Sequence, residues 1–308
     1  MIKGYYINLE SSQERRAALT ENLKSLGIEN IYKRFNAIKG DPSEAKKSNL
    51  KAGELGLWSS WISLLKQETQ NTKTNYRYLH IMEDDVVLDE ITKKAFKVLH
   101  RCDEEFDMLF TDMYVNPSVH SQFGKYCKRL IRKEKVSIER DIYTGCTSSV
   151  ILKRESIQKI YNLLDSHING QGKKIPLDNY IRRLMNDKKL TIRVMIPFTT
   201  SIQLDQIHNS TIQETDLNHQ AISTSQALCG LMRRDLSYIR NPENMQIQAS
   251  RYVQILEDYA SKRLEKEKQQ DMMDIFSKYC LENRLLRYKY EPRLLNEKLN
   301  AQIHEDWS

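Results

Sequence analysis

The first part of the chain alternates between short apolar runs and amphipathic helical patterns. Residues 3–9 form an apolar run typical of a strand, and the next pattern predicts a helix that ends at Gly27. Ser11, with Glu14 three residues later, has the spacing of a capping box at the start of that helix. An apolar run over residues 31–38 predicts a second strand. This strand, helix, strand unit predicts the start of an α/β fold.

The same alternation continues to about residue 200. Further helices are predicted over residues 52–67, 91–102, 155–167 and 176–188. Further strands are predicted over residues 78–82, 106–115 and 142–152, the last of these as a strand or a hairpin, with a final strand over 190–198. Such a pattern predicts a mostly parallel sheet with helices on both faces, whose ligands collect at the carboxyl ends of the strands.

The pattern changes near residue 223. From there to residue 308 glycine and proline become scarce and charged amphipathic patterns dominate. We therefore predict a main domain over residues 1–222 and a helical C-terminal region over residues 223–308. That region either caps the site or forms a homodimer surface, and the pattern leaves both open. Four leucines are its candidate buried positions: Leu285, Leu286, Leu294 and Leu295.

Composition narrows the class of protein. The chain has 308 residues, of which 40% are hydrophobic and 29% are charged, enough for a substantial core. Neither a signal-peptide pattern nor an apolar run of about 18 residues is present, so a soluble cytoplasmic protein is expected. The five cysteines are widely spread, which favours reduced thiols over disulfides or a zinc site.

The net charge of +7 is concentrated between residues 125 and 140. A basic patch there suits an anionic partner, namely a phosphorylated glycan, an anionic lipid or a nucleic acid, and the alternative is a solvated surface. Four side chains of this basic patch are the main candidates for contact with the anionic partner: Lys128, Arg129, Arg132 and Lys133.

Three consecutive carboxylates follow the apolar run 78–82: Glu83, Asp84 and Asp85. Adjacent acids repel one another and need water, a cation or an arginine nearby. Two carboxylates at a strand end suit a hard divalent cation that keeps coordination positions for a diphosphate. The alternative is that this acid triplet caps the helix that follows Leu88.

Five short motifs occur in a particular order over residues 1–215. Their members are Asn8, Leu9 and Arg15; Gly53, Glu54 and Gly56; the acid triplet; Thr144 and Gly145; and Pro176 and Asp178. Together they resemble glycosyltransferase family 25, the bacterial lipooligosaccharide glycosyltransferases related to collagen galactosyltransferases. No single motif is specific, but the ordered set is.

The resemblance implies a GT-A fold with residues 1–222 as the catalytic domain. It also implies an inverting transfer of galactose or glucose from a UDP-sugar to the growing oligosaccharide of lipopolysaccharide, with Mn²⁺ or Mg²⁺ bound. The basic patch would then face the acceptor or the cytoplasmic face of the inner membrane. Two other functions remain open from the residues alone: a metal-dependent nucleotide phosphohydrolase and a basic nucleic-acid-binding protein.

The resemblance also assigns roles to residues. Asp85 and Asp84 are the expected metal ligands, and His208 is a further candidate ligand. The expected donor-binding residues are Asn8, Arg15, Glu83, Asp84, Thr144 and Gly145. Asp178 is expected to act as the general base or to hold the sugar, and the alternative is a helix-start acid that only complements the helix dipole.

One position departs from the family pattern. Where the family usually has Ser-His, this chain has Ser60 and Trp61. The Trp61 ring either stacks on a sugar or fills the core, and Trp58 is expected in the core.

Overall fold

The structure is a computed structural model that describes residues 2–71, 75–100, 104–113, 137–196 and 198–202. Apart from Ser137, Ile196 and Phe198, these residues belong to one compact unit, and the second unit otherwise lies outside the described residues. Three earlier predictions fall outside them as well: the basic patch, His208 and the C-terminal helical region. The domain boundary after residue 222 therefore stays a prediction.

Within the described residues the chain forms nine strands and six α-helices. The strands are β1 (Ile2–Asn8), β2 (Tyr32–Asn36), β3 (Tyr78–Glu83), β4 (Val86–Leu88), β5 (Met108–Phe110), β6 (Ser137–Arg140), β7 (Ser149–Lys153), β8 (Ile192–Ile196) and β9 (Thr200–Ile202). The helices are α1 (Gln13–Ser25), α2 (Pro42–Ser48), α3 (Ala52–Gln70), α4 (Glu90–Leu99), α5 (Ile157–Ile168) and α6 (Leu177–Asn186). None of these helices combines the length and the apolar character needed to cross a bilayer.

Seven strands form one mixed sheet in the order β2-β1-β3-β7-β5-β8-β6. β1 runs parallel to β2 and β3, and β5 runs parallel to β8. β7 is antiparallel to both of its neighbours, β3 and β5. The remaining two strands, β4 and β9, form a small antiparallel pair. This arrangement confirms the predicted α/β class with a mostly parallel sheet.

Helices cover both faces of the sheet. Tyr5 and Tyr6 are adjacent on β1 and therefore point to opposite faces. The Tyr5 hydroxyl bonds with Glu68 and Gln67 of α3, whereas Tyr6 lies beside α1 residues such as Gln13. The connections β1-α1-β2 and β2-α3-β3 run in opposite directions along the sheet, so right-handed crossovers place their helices on opposite faces.

A buried histidine sits in a line of hydrogen bonds across the sheet. Nδ1 of His80 lies 2.7 Å from the Tyr32 hydroxyl, and Nε2 lies 2.8 Å from Oγ of Ser149. Thr111 extends the line, since Oγ1 lies 2.6 Å from Ser149 Oγ and 2.8 Å from Thr200 Oγ1. Burial lowers the pKa of His80 to about 3, so the imidazole is neutral at physiological pH.

A buried carboxylate joins α3 to β1. Glu68 is fully buried, and its oxygens accept hydrogen bonds from Lys3 Nζ at 2.7 and 2.9 Å, from the Tyr5 hydroxyl at 2.9 Å and from the Tyr76 hydroxyl at 2.5 Å. Burial alone would raise the pKa of Glu68. The hydrogen bonds lower the pKa by more than burial raises it, so the pKa lies below its ordinary value. The carboxylate is therefore charged and fixes the helix to the sheet.

The predicted elements are largely confirmed, with four corrections. Ser12 rather than Ser11 precedes α1, and its side chain makes no capping bond. Residues 142–148 form a loop, because positive φ angles interrupt extended backbone there, so the strand begins only at Ser149. The short elements α2, β4 and β6 were not predicted, and β9 follows the strand that was expected to be the last.

Candidate active site

The carboxyl ends of the parallel strands bring the predicted motifs together. Asn8 ends β1 and Glu83 ends β3. Because β7 is antiparallel to β3, the loop that precedes β7 lies at the same edge, where Glu83 N–H donates to Ser148 O at 2.7 Å. Asp112 follows β5 at this edge and is fully buried.

The acid triplet ends β3 and forms the turn into β4, with Asp84 and Asp85 at the turn itself. It does not cap the next helix. The residue that caps α4 is Asp89, which directly precedes the helix. Its carboxylate accepts a hydrogen bond from Thr92 N at 3.1 Å. The helix-cap alternative for the triplet is therefore wrong, since β4 separates the triplet from the helix.

Asp84 is held by two residues of the first motif, Asn8 and Arg15. Asn8 Nδ2 donates to Asp84 Oδ2 at 2.7 Å, and Arg15 Nη1 donates to Asp84 Oδ1 at 3.2 Å. The Arg15 and Asp84 side chains are only 10% and 11% exposed, so water screens this ion pair weakly. Arg15 therefore pairs with the strand-end acid and does not form an exposed surface salt bridge.

Asn8 is itself oriented from β2. Arg34 Nε donates to Asn8 Oδ1 at 2.9 Å, which leaves the amide NH₂ group of Asn8 facing Asp84. Other nitrogens of the same guanidinium bond Glu10 at 2.7 Å and Asn36 Oδ1 at 2.9 Å. Arg34 was not among the predicted site residues, because a lone arginine in a strand gives no signal before its register to Asn8 is known.

A cavity of about 370 Å³ opens beside the acid triplet. Its walls combine apolar side chains, including Ile7, Leu9 and Leu57, with Arg15 and all three acids. This composition, apolar with a few convergent charged groups, is typical of a small-molecule site.

The glycines of the second motif shape this cavity. A Cβ on Gly56 would lie 2.6 Å from Ile38 O, and a Cβ on Gly40 would lie 1.9 Å from Ala52 O, so the start of α3 packs directly on the backbone of residues 38–40. Glu54 accepts a hydrogen bond from Lys51 N at 2.9 Å and stabilises the first turn of α3. The motif therefore lets the first turn of α3 pack closely against residues 38–40, and Gly53 contributes to the cavity wall.

The loop over residues 141–148 ties other carboxylates to the edge. Thr147 Oγ1 donates to Glu83 Oε1 at 3.2 Å, and Ser148 Oγ donates to Asp112 Oδ1 at 2.8 Å. Two non-glycine residues of the loop, Asp141 and Cys146, have positive φ angles of 56° and 78°. Such conformations are unfavourable for these residues and concentrate at functional sites.

The same loop contacts the predicted base. Asp178, in the first turn of α6, accepts hydrogen bonds from Cys146 N at 3.3 Å and from Asn179 N at 2.7 Å. Gly145 has a φ of 151°, and a Cβ there would lie 3.1 Å from Asp178 Oδ2. Thr144 contributes its carbonyl, which accepts from Arg182 Nη1 at 3.4 Å. The fourth and fifth motifs are thus in direct contact.

The described acids alone do not form a complete metal site. Among the described residues no group of three or more His, Cys, Asp or Glu side chains has the geometry to bind a metal ion. Carboxylate oxygens are nevertheless the donors that Mg²⁺ and Mn²⁺ prefer, and one or two of them suffice when diphosphate oxygens supply other ligands. Glu83 and Asp85, which line the cavity beside Asp84, fit this kind of shared site.

Comparison with protein families decides the class. The family model described as glycosyltransferase family 25 (LPS biosynthesis protein) matches residues 1–181, which hold all five motifs. The chain belongs to glycosyltransferase family 25. This family 25 member is therefore a glycosyltransferase rather than a phosphohydrolase or a nucleic-acid-binding protein. No match was found among curated protein sequences.

Two solved structures resemble the chain distantly. A mutant of the Drosophila β-1,4-galactosyltransferase 7, in complex with manganese, UDP-Gal and xylobiose, is 11% identical with a TM-score of 0.34, over 71% of this chain and 79% of that chain. The apo form of mouse xyloside xylosyltransferase 1 is 10% identical with a TM-score of 0.32, over 63% of this chain and 71% of that chain.

The tryptophans of α3 are core residues. Trp58 and Trp61 are both fully buried, so Trp61 fills the core and does not offer a face to a sugar. Trp58 Nε1 donates to Ile175 O at 3.0 Å, directly before the Pro176 that opens α6. This bond links α3 to the helix that carries Asp178.

Proposed function

We propose that the chain transfers a hexose, galactose or glucose, from a UDP-sugar to the oligosaccharide of lipopolysaccharide with inversion at the anomeric carbon. The observation that carries this proposal is one cavity lined by Arg15, the acid triplet and an apolar wall. Cationic and metal-binding groups suit a diphosphate, and the apolar wall suits a nucleoside. The family description supplies the acceptor class.

The carboxylates of the acid triplet have different roles in the proposed binding of the donor. Both oxygens of Asp84 accept bonds, from Asn8 and from Arg15, so Asp84 also fixes Arg15 at the start of α1. Arg15 and the amino end of α1 then bind the negative diphosphate. Asp85 and Asp84, with Glu83 beside them on the cavity wall, are the side chains that would hold the divalent ion. When bound, that ion would stabilise the negative charge that develops on the leaving diphosphate.

Asp178 is the proposed general base. Inversion by a single displacement requires one group to take the proton of the acceptor hydroxyl as the new bond forms. Among the hydrogen bonds given above, Asp178 Oδ2 accepts one long bond, from Cys146 N at 3.3 Å. Because that bond is long, this oxygen is suited to receive a proton. The loop that bonds Asp178 through Cys146 also bonds Glu83 through Thr147, which supports placing the base and the donor acids in one site.

The first experiment is calorimetric titration with UDP, with and without Mn²⁺. We expect metal-dependent UDP binding that is lost in Asp85→Asn and retained in Asp187→Asn, an exposed acid at the end of α6. UDP-galactose and UDP-glucose are then tested with truncated lipooligosaccharide as the acceptor. Equal UDP affinity with and without metal, unchanged in Asp85→Asn, would contradict the proposed role of the acids.

Three further expectations remain proposals. His208 as an additional metal ligand and the basic patch as an acceptor or membrane contact concern residues outside the described ranges. The same holds for a homodimer through the C-terminal helices. Cytoplasmic localisation remains a prediction from the sequence.

A further inference from the structure

The loop before β7 is anchored from the core by a buried tyrosine. Tyr143 is 1% exposed, and its ring stacks on Phe110 of β5 with centroids 4.0 Å apart. Its hydroxyl donates to the carbonyl of Cys146 at 3.0 Å. The phenol is thus fixed at both ends, by its ring against the sheet and by its hydroxyl against the loop.

The anchored peptide carries the group that reaches Asp178. Cys146 adopts a φ of 78°, which an L-residue adopts only when its surroundings impose it. In that conformation its N–H points to Asp178 Oδ2, while its carbonyl accepts from Tyr143. The glycine at 145 leaves the space that the carboxylate occupies. The hydroxyl of Tyr143 therefore holds the residue whose amide orients Asp178.

We propose that Tyr143 is a positioning residue for Asp178, acting through the carbonyl and amide of Cys146. This inference rests on the proposed function, in which Asp178 is the general base. Burial, together with the charges of Asp178, Cys146 and Asp112, raises the pKa of Tyr143 well above its usual value. The phenol therefore stays protonated and remains a hydrogen-bond donor throughout the working pH range.

The test compares two tyrosines that make the same kind of bond. Tyr143→Phe keeps the ring and removes the hydroxyl. Its matched control is Tyr78→Phe, because Tyr78 is also fully buried and its hydroxyl also donates to a backbone carbonyl, that of Leu99, at 3.0 Å. Tyr78 begins β3, at the opposite end of that strand from the acid triplet. Both variants are assayed by UDP release from the active UDP-hexose with truncated lipooligosaccharide.

A positioning role predicts a split between turnover and donor binding. Tyr143→Phe should lower kcat about 10- to 100-fold, because small displacements of a catalytic group have effects of that size. UDP affinity and donor KM should stay within about twofold of the wild type, since the acid triplet is untouched. Tyr78→Phe should leave kcat unchanged.

Two outcomes separate this inference from the proposed function. If Asp178→Asn loses turnover while Tyr143→Phe matches Tyr78→Phe in kcat, the positioning role is overturned and the base assignment stands. If Asp178→Asn turns over as fast as the wild type, the base assignment fails and the positioning role fails with it. Should Tyr143→Phe not fold, Gly145→Ala displaces Asp178 from the same loop directly, because the new Cβ would lie 3.1 Å from Asp178 Oδ2. An unchanged kcat in that variant would overturn the proposal that this loop positions Asp178.

Discussion

The buried imidazole of His80 predicts a specific loss of stability on acidification. Its folded-state pKa of about 3 lies below the ordinary value of 6.5, because burial disfavours the charged form. As the pH falls below 6.5, His80 binds a proton in the unfolded chain but stays neutral in the folded chain. The contribution to stability is therefore complete above pH 6.5 and is lost progressively between pH 6.5 and 3.

The magnitude follows from the two pKa values. Between pH 7.5 and 5.5 the folded imidazole stays neutral while the unfolded one becomes about 90% protonated, which lowers the free energy of unfolding by about 1.4 kcal/mol. Urea unfolding, followed by the fluorescence of the buried Trp58 and Trp61, measures this free energy at each pH.

The comparison of variants isolates the histidine. His80→Gln cannot titrate, so its loss of stability over this interval should be about 1.4 kcal/mol smaller than that of the wild type. Ser149→Ala removes a hydrogen-bond partner but keeps the imidazole, and it should retain the wild-type pH dependence. Equal pH dependence in His80→Gln and the wild type would refute a neutral, buried imidazole.

Two further predictions concern packing and charge. Gly56→Ala should lower stability by about 1–3 kcal/mol and weaken UDP binding, because the new methyl group meets Ile38 O at 2.6 Å beside the cavity. Thermal unfolding and calorimetry measure the two effects, and unchanged values would refute the tight packing. Lys3→Met should lower the free energy of unfolding by about 3 kcal/mol, because Glu68 then keeps a buried charge without its cation. Lys33→Met, at an exposed position on β2, is the control, and equal losses in urea unfolding would contradict the buried pair.

Periodic elements could be predicted from the sequence because their pattern is local. β1, α1, β2 and α3 follow apolar spacing that no distant contact overrides. The short elements α2 and β4 were missed because seven and three residues carry too little periodicity. Whether β7 is antiparallel depends on which strands it joins, and that is a property of the sheet.

Candidate site residues could be predicted where the residue types of a motif suggest a chemical role. The acid triplet, Arg15 and Asp178 stand out because their residue types suggest a metal, an anion or a proton. Tyr143 and Arg34 act only through other residues, Cys146 and Asn8 respectively, so their roles appear only when distances are known. The residues proposed to meet a ligand could be picked out from the sequence, whereas the residues that orient them could not.

The antiparallel strand β7 has a consequence for cooperativity. In the described part of the chain it is the strand that joins the block β2-β1-β3 to the block β5-β8-β6. Opening β7 would sever the sheet into two halves and separate Glu83 from Asp112, because the loop that bridges them is its own beginning. Its amide protons should therefore exchange with solvent only when the whole sheet unfolds, at a rate set by global stability. The integrity of the active site and the slowest hydrogen exchange of the protein would then report on one and the same event.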